Sequence, residues 1–318
     1  MSNQIHIQWP DIAKGIGIIL VIFGHGMFPF HSLIDSFHMP LFYVLAGLFV
    51  DTEKYKIGEY VAKRFERVMI PFCIYALVVG LYAFPMGWNE VVHHVCSLWF
   101  LYTIFIASSL YYVIRRCMTL KWCNILLILM VTILTIFHDS AGDFGHLWVA
   151  IERILYAVVF IHVGYLYKRY SDTINLNWLV VIAAIFVFLL CNILILEHFA
   201  PLNISYYSGT LFKLPMYLLW PVSLSGCYIV IIISKKIGTA NILQYFGRNS
   251  LAIYALHIPL IWKINNFISR LPHYEQMICK LLYGALEYCA VFTFIIFLIW
   301  ALQKVLPTRY YKFLGISK

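Results

Sequence analysis

From Ile12 to Trp300 the chain is a succession of apolar runs of about 20 residues, the length an α-helix needs to cross a bilayer core. The runs fall near 12–30, 34–50, 66–84, 97–114, 123–137, 147–167, 177–196, 212–234, 249–266 and 278–303. Ten spans with short connections use up all 318 residues, which leaves no room for a separate soluble unit. Composition agrees: 63% of the residues are hydrophobic and 12% charged, with mean hydropathy +0.84, where soluble domains carry about 25% charge. The expected fold is all-α, a polytopic integral membrane protein of about ten transmembrane helices forming one domain over 1–318. Pro40, Pro71, Pro215, Pro221 and Pro259 fall within or beside these runs and predict kinks.

A net charge of +9 suggests nucleic acid in a soluble protein, but here it reads as topology, with no nucleic-acid partner. With the N-terminus inside, 18 of the 23 Lys and Arg fall at cytoplasmic ends. Only Lys213, Lys263, Arg270 and Lys280 fall on the other side, and Arg153 lies within a span. The bias places both termini in the cytoplasm. The polar start and long first span do not resemble a cleavable signal, so that span is expected to be retained. The eight cysteines are scattered without metal-ligand spacing and read as packing residues; no metal site is expected.

Ionisable groups inside apolar runs mark candidate sites, because placing a Lys at mid-bilayer costs roughly 2.5–3.5 kcal/mol on insertion scales. Lys14 and His25 are eleven residues apart. At 100° per residue this returns to one helical stripe, ~16 Å along the axis. A cation near the cytoplasmic surface and an imidazole in the outer half could line a path for a long anionic cofactor. Lys14 also fits a snorkelling residue or a local partner of Asp11, and His25 a buried structural histidine. His38 opens the second span from the same outer side as His25. Glu152 and Arg153 are adjacent in the sixth span and point about 100° apart, which suggests a polar cavity or separate partners. Trp99 lies in an aromatic group at an outer helix end, where interfacial belts or sugar stacking both fit. Asn89, Asp139, Asp143 and Asn203 lie in outer loops as possible hydroxyl partners. Gly15, Gly17 and Gly24 suit close helix packing rather than a phosphate loop.

Four segments resemble the membrane acyltransferase 3 family. They are Asp11-Ile-Ala-Lys14-Gly with His25; Ser36-Phe-His-Met-Pro-Leu-Phe42 with Leu45-Ala-Gly47; Arg64-Phe-Glu-Arg67 leading into Ile70-Pro71-Phe72; and Gly247-Arg-Asn-Ser250-Leu251 with Tyr254 and His257. The fit is nearest to the small fucose 4-O-acetylase-like branch. That resemblance implies acyl transfer, usually acetyl from acetyl-CoA, to a hydroxyl of a surface polysaccharide or its lipid-linked precursor, in the bacterial inner membrane. The expected partners are acyl-CoA, the glycan acceptor and the bilayer, with no permanently bound cofactor. His25 is then the general base or, alternatively, an acyl carrier, with Glu152 or Asp35 orienting it. Lys14, Arg64 and Arg67 bind the CoA phosphates, and His38, Arg153, Trp99 and His257 contact substrate. A transporter or flippase for a glycan or acylated small molecule is the competing reading, since buried charges and broken helices also mark transport paths.

Overall fold

A computed structural model describes residues 8–27, 31–137, 145–171, 178–199, 216–271 and 277–317. Among them there is no strand; the chain folds into helices α1 (Trp9–His25), α2 (His31–Asp35), α3 (His38–Gly47), α4 (Ile57–Arg64), α5 (Ile70–Ala83), α6 (Trp88–Cys96), α7 (Trp99–Cys117) and α8 (Leu120–Phe137). These are followed by α9 (Gly145–Tyr170), α10 (Trp178–Phe199), α11 (Met216–Ile237), α12 (Asn241–Arg248), α13 (Ser250–Ile268), α14 (Met277–Val305) and α15 (Tyr311–Leu314).

The protein is an all-α, multi-pass membrane protein. Seven helices among the described residues are long and apolar enough to cross a bilayer, or eight if α6 and α7, bent by 42°, form one broken span. The other two predicted runs are helical but shorter: α1 has 17 residues, and Leu33–Gly47 is broken at Ser36–Phe37 between α2 and α3. Large apolar side chains such as Ile128, Leu129, Ile136, Phe186, Leu282 and Phe297 are exposed along α8, α10 and α14. A water-soluble surface does not carry that many, so these faces meet lipid.

Two helix crossings position the interior. Gly15 of α1 and Gly247 of α12 each lie so close to the opposing backbone that a Cβ would collide with the Leu243 and Asp11 carbonyls respectively. Gly47 and Gly164 do the same between α3 and α9, against Ile161 and Val44. Small residues at such contacts replace the missing hydrophobic drive between helices in lipid with close van der Waals packing. Helix α1 therefore sits centrally, packed on α3, α11, α12 and α13.

The predicted helix ends needed correction. Helix α1 stops at His25, short of the expected residue 30, where Gly26 packs under the Tyr288 ring. Helix α4 begins at Ile57, because its polar first turns do not register in an apolar run. Between α4 and α5, Phe65–Met69 forms a wide π-turn closed by the Ile70 N–H on the Phe65 carbonyl. Pro71 has no N–H to give the Arg67 carbonyl, and the register widens just ahead of it.

Candidate functional site

A cavity of about 650 Å³ opens between α1, α3, α7, the α4–α5 turn, α12, α13 and the segment around α15. One end is polar and cationic, lined by Lys14, Arg64, Arg67, Arg248 and Lys312 with the single carboxylate of Asp11. All five cations belong to the set that the charge bias assigns to the cytoplasm. The inner part is apolar, formed by Ile18, Met39, Phe42, Phe100, Leu251 and Tyr254 among others.

The cations are braced rather than neutralised. Asp11 reaches Lys14 Nζ at 3.5 Å through an i,i+3 step on α1, and Arg248 Nε at 3.4 Å across the glycine crossing. Arg248 also donates to Gln244 Oε1 at 2.8 Å, and Arg64 Nε to Ser108 Oγ at 3.1 Å. Two carboxylates, Asp11 and the Glu66 that pairs with Lys312, against five cations leave a net positive field. The chemistry of that lining, cationic at one end and apolar within, is complementary to a polyanion with an apolar extension.

At the inner end, Tyr254 connects the cavity to a row of imidazoles. Its ring lies 5.6 Å from that of His257, and His257 lies 5.1 Å from His25. The Tyr254 hydroxyl donates to the Ser97 carbonyl at 3.0 Å and accepts the Phe100 N–H at 3.3 Å. His257 is fully buried, and its Nδ1 donates to the Tyr254 carbonyl at 2.5 Å. A carbonyl only accepts, so in the neutral ring Nε2 keeps the lone pair. That atom has no hydrogen-bond partner among the described residues. His38 is also buried; its Nδ1 donates to the Ile34 carbonyl at 2.8 Å and lies 3.7 Å from Asp35 Oδ1.

His25 itself is exposed at the end of α1 and does not line the cavity. Lys14 and Ile18, on the predicted stripe, line the cavity, whose lining does not extend to His25. Val21, on the same stripe, and Ile22 beside it are fully buried and do not line the cavity. Asp35 lies near the same helix end: a Cβ on Gly24 would stand 3.1 Å from its carboxylate. The turn after His25 is held by the Met27 N–H on Glu287 Oε2 at 2.9 Å.

The structure brings together Lys14, Arg64 and Arg67, and separately His25, His257, His38 and Asp35. Arg153 stacks over Trp99 at 4.7 Å, but the hollow they share with Met39, Tyr43 and Tyr156 measures about 10 Å³, no more than one water. Glu152 is buried on α9. Asn89 is exposed, and Asp139, Asp143 and Asn203 lie outside the described residues. Among the described residues no group of three or more His, Cys, Asp or Glu is placed to hold a metal ion. Sequence reasoning passed over Arg248 and Lys312, which positive-inside topology already accounted for. It also passed over Glu287, although a lone carboxylate in an apolar run carries the same signal that picked out His25.

A family model described as an acyltransferase domain matches residues 7–304, nearly the whole chain. No curated protein and no solved structure matches it.

Proposed function

Because the chain belongs to the acyltransferase 3 family, we propose that this membrane acyltransferase moves acetyl from acetyl-CoA to a hydroxyl of a surface polysaccharide or of its lipid-linked precursor, in the bacterial inner membrane. The observation that carries the proposal is one cavity with five cations at its mouth and an apolar inner end against the Tyr254–His257–His25 row. CoA is a polyanion with a long, weakly polar pantetheine arm. Lys14, Arg64 and Arg67 hold its phosphates, the guanidinium groups in bidentate fashion. The arm runs along the apolar wall towards Tyr254, and the acceptor arrives at the exposed face of His25.

An alcohol is a weak nucleophile at neutral pH, and an imidazole with ordinary pKa near 6.5 can take its proton as it attacks. In that step the acceptor oxygen bonds to the thioester carbonyl carbon and the C–S bond breaks. The proton passes through His25 to the CoA thiolate. A route through acyl-imidazole on a histidine uses the same groups in two steps. In either route the thioester reaches His25 past the Tyr254–His257 pair, whose rings link the cavity lining to His25.

The test is the purified protein in liposomes with radiolabelled acetyl-CoA and a glycan extract. Label should move to glycan with wild type and not with His25→Ala. Absence of transfer by wild type, together with counterflow of glycan or acyl compound, would overturn the enzyme reading in favour of a carrier.

A further inference from the structure

We propose that the segment Tyr311–Ser317 is a working wall of the cationic cavity, and that its Lys312 is a phosphate ligand for acyl-CoA that shares its charge with Glu66. The inference rests on the donor reading above and extends it to a segment, Tyr311–Ser317, that no motif supplies.

The segment follows the last long helix, yet it is fastened at every turn. Tyr311 donates its hydroxyl to the Gln303 carbonyl at 2.5 Å, and Tyr75 on α5 donates to the Leu314 carbonyl at 2.9 Å. Gly315 takes a left-handed backbone, φ +62°, that turns the chain against Leu251. Ile316 is then buried in the core. Ser317 ends the strap: its N–H meets Asn249 Oδ1 at 2.9 Å, its hydroxyl meets the same atom at 3.3 Å, and its carbonyl accepts Gln303 Nε2 at 2.8 Å. The strap is thereby tied to α5, to the junction of α12 and α13, and to α14.

Gly315, Ile316, Ser317 and Lys312 all line the cavity. Lys312 adds a fifth cation to the mouth from the strap. Its carboxylate partner, Glu66, sits in the π-turn between Arg64 and Arg67, and is not itself a lining residue. Both side chains of the pair are well exposed, 55% for Lys312 and 40% for Glu66. An ion pair that exposed holds its partners weakly. Exchange of the carboxylate for phosphate therefore costs little, while phosphate offers a stronger, charge-assisted set of acceptors. Bracing the strap does not require this pair, because the hydrogen bonds above already do so.

The test measures CoA binding by calorimetry on the full chain in nanodiscs, with thermal melting as a control for folding. Lys312→Ala should weaken CoA about tenfold, as for loss of one charge-assisted contact, and Lys312→Glu should weaken it further. Glu66→Gln removes the competitor and should leave affinity equal or higher. Asn249→Ala releases Ser317 without changing charge and should weaken CoA severalfold through the wall. If wild type binds CoA and Lys312→Ala binds it equally, the ligand role is overturned. A loss in Glu66→Gln equal to that in Lys312→Ala would reduce the pair to a brace and overturn it too. Unchanged binding in Asn249→Ala would overturn the wall. Failure of wild type to bind CoA would instead overturn the donor reading itself.

Discussion

His25 stands outside the cavity lining and is linked to it by the rings of Tyr254 and His257, and this division predicts separable defects. His25→Ala should lower kcat by about 10²- to 10⁴-fold, the usual worth of a positioned acid–base group, with CoA affinity unchanged in calorimetry. Conversely, Arg64→Ala should raise the KM for acetyl-CoA while kcat falls little, because a phosphate contact is made equally in the ground and transition states. If both variants changed KM alone, His25 would be a binding residue. At this scale the sequence was informative where a residue had no ordinary explanation. Lys14 and His25 stood out because hydrocarbon penalises them. Arg248 and Lys312 did not, because a cation at a cytoplasmic helix end already has a topological reason to be there. The burial of Val21 and Ile22 was not readable at all, since their apolar character suits both a lipid face and a packed interior.

Elements that bend or end early do most of the positioning. The π-turn at Phe65–Met69 presents Arg64 and Arg67 to one cavity while Glu66 between them reaches Lys312. Pro71→Ala would restore the N–H that the Arg67 carbonyl lacks and favour an ordinary α-turn, which rotates the preceding residues by about 100°. The expected result is a severalfold rise in the KM for acetyl-CoA with a stable fold, read from kinetics beside a thermal melt. The glycine crossings predict the opposite pattern. Gly247→Val would place carbons on the Asp11 carbonyl and push α12 off α1, costing about 1–3 kcal/mol or more as overpacking does. A lowered melting temperature with loss of CoA binding checks it. All ten apolar runs become helices because twenty-residue hydrophobicity survives any detail of packing. Helix starts, the π-turn and the amphipathic α12 were not legible, because each depends on a partner helix rather than on composition.

At the scale of the whole molecule, the cavity has one charged end, and the side of the membrane it faces decides which substrate it can receive. The topology proposed from the bias of Lys and Arg turns that end to the cytoplasm and its acyl-CoA, the proposed donor, and turns His25 towards the proposed glycan acceptor. Two native thiols can test the orientation without new mutations. Cys117 is exposed at the end of α7 beside Arg115 and Arg116, and Cys96 is exposed at the end of α6 by the bend into α7. Between them runs α7, a helix of 19 residues that is ~28 Å long at 1.5 Å per residue. A membrane-impermeant maleimide should therefore label Cys96 in right-side-out vesicles and Cys117 in inside-out ones, each site identified by peptide mass. The reverse pattern would turn the cationic mouth outward, away from the CoA pool. The fold would survive that result and the direction of transfer would not, because family membership fixes the chemistry while only topology fixes which side supplies the acyl group.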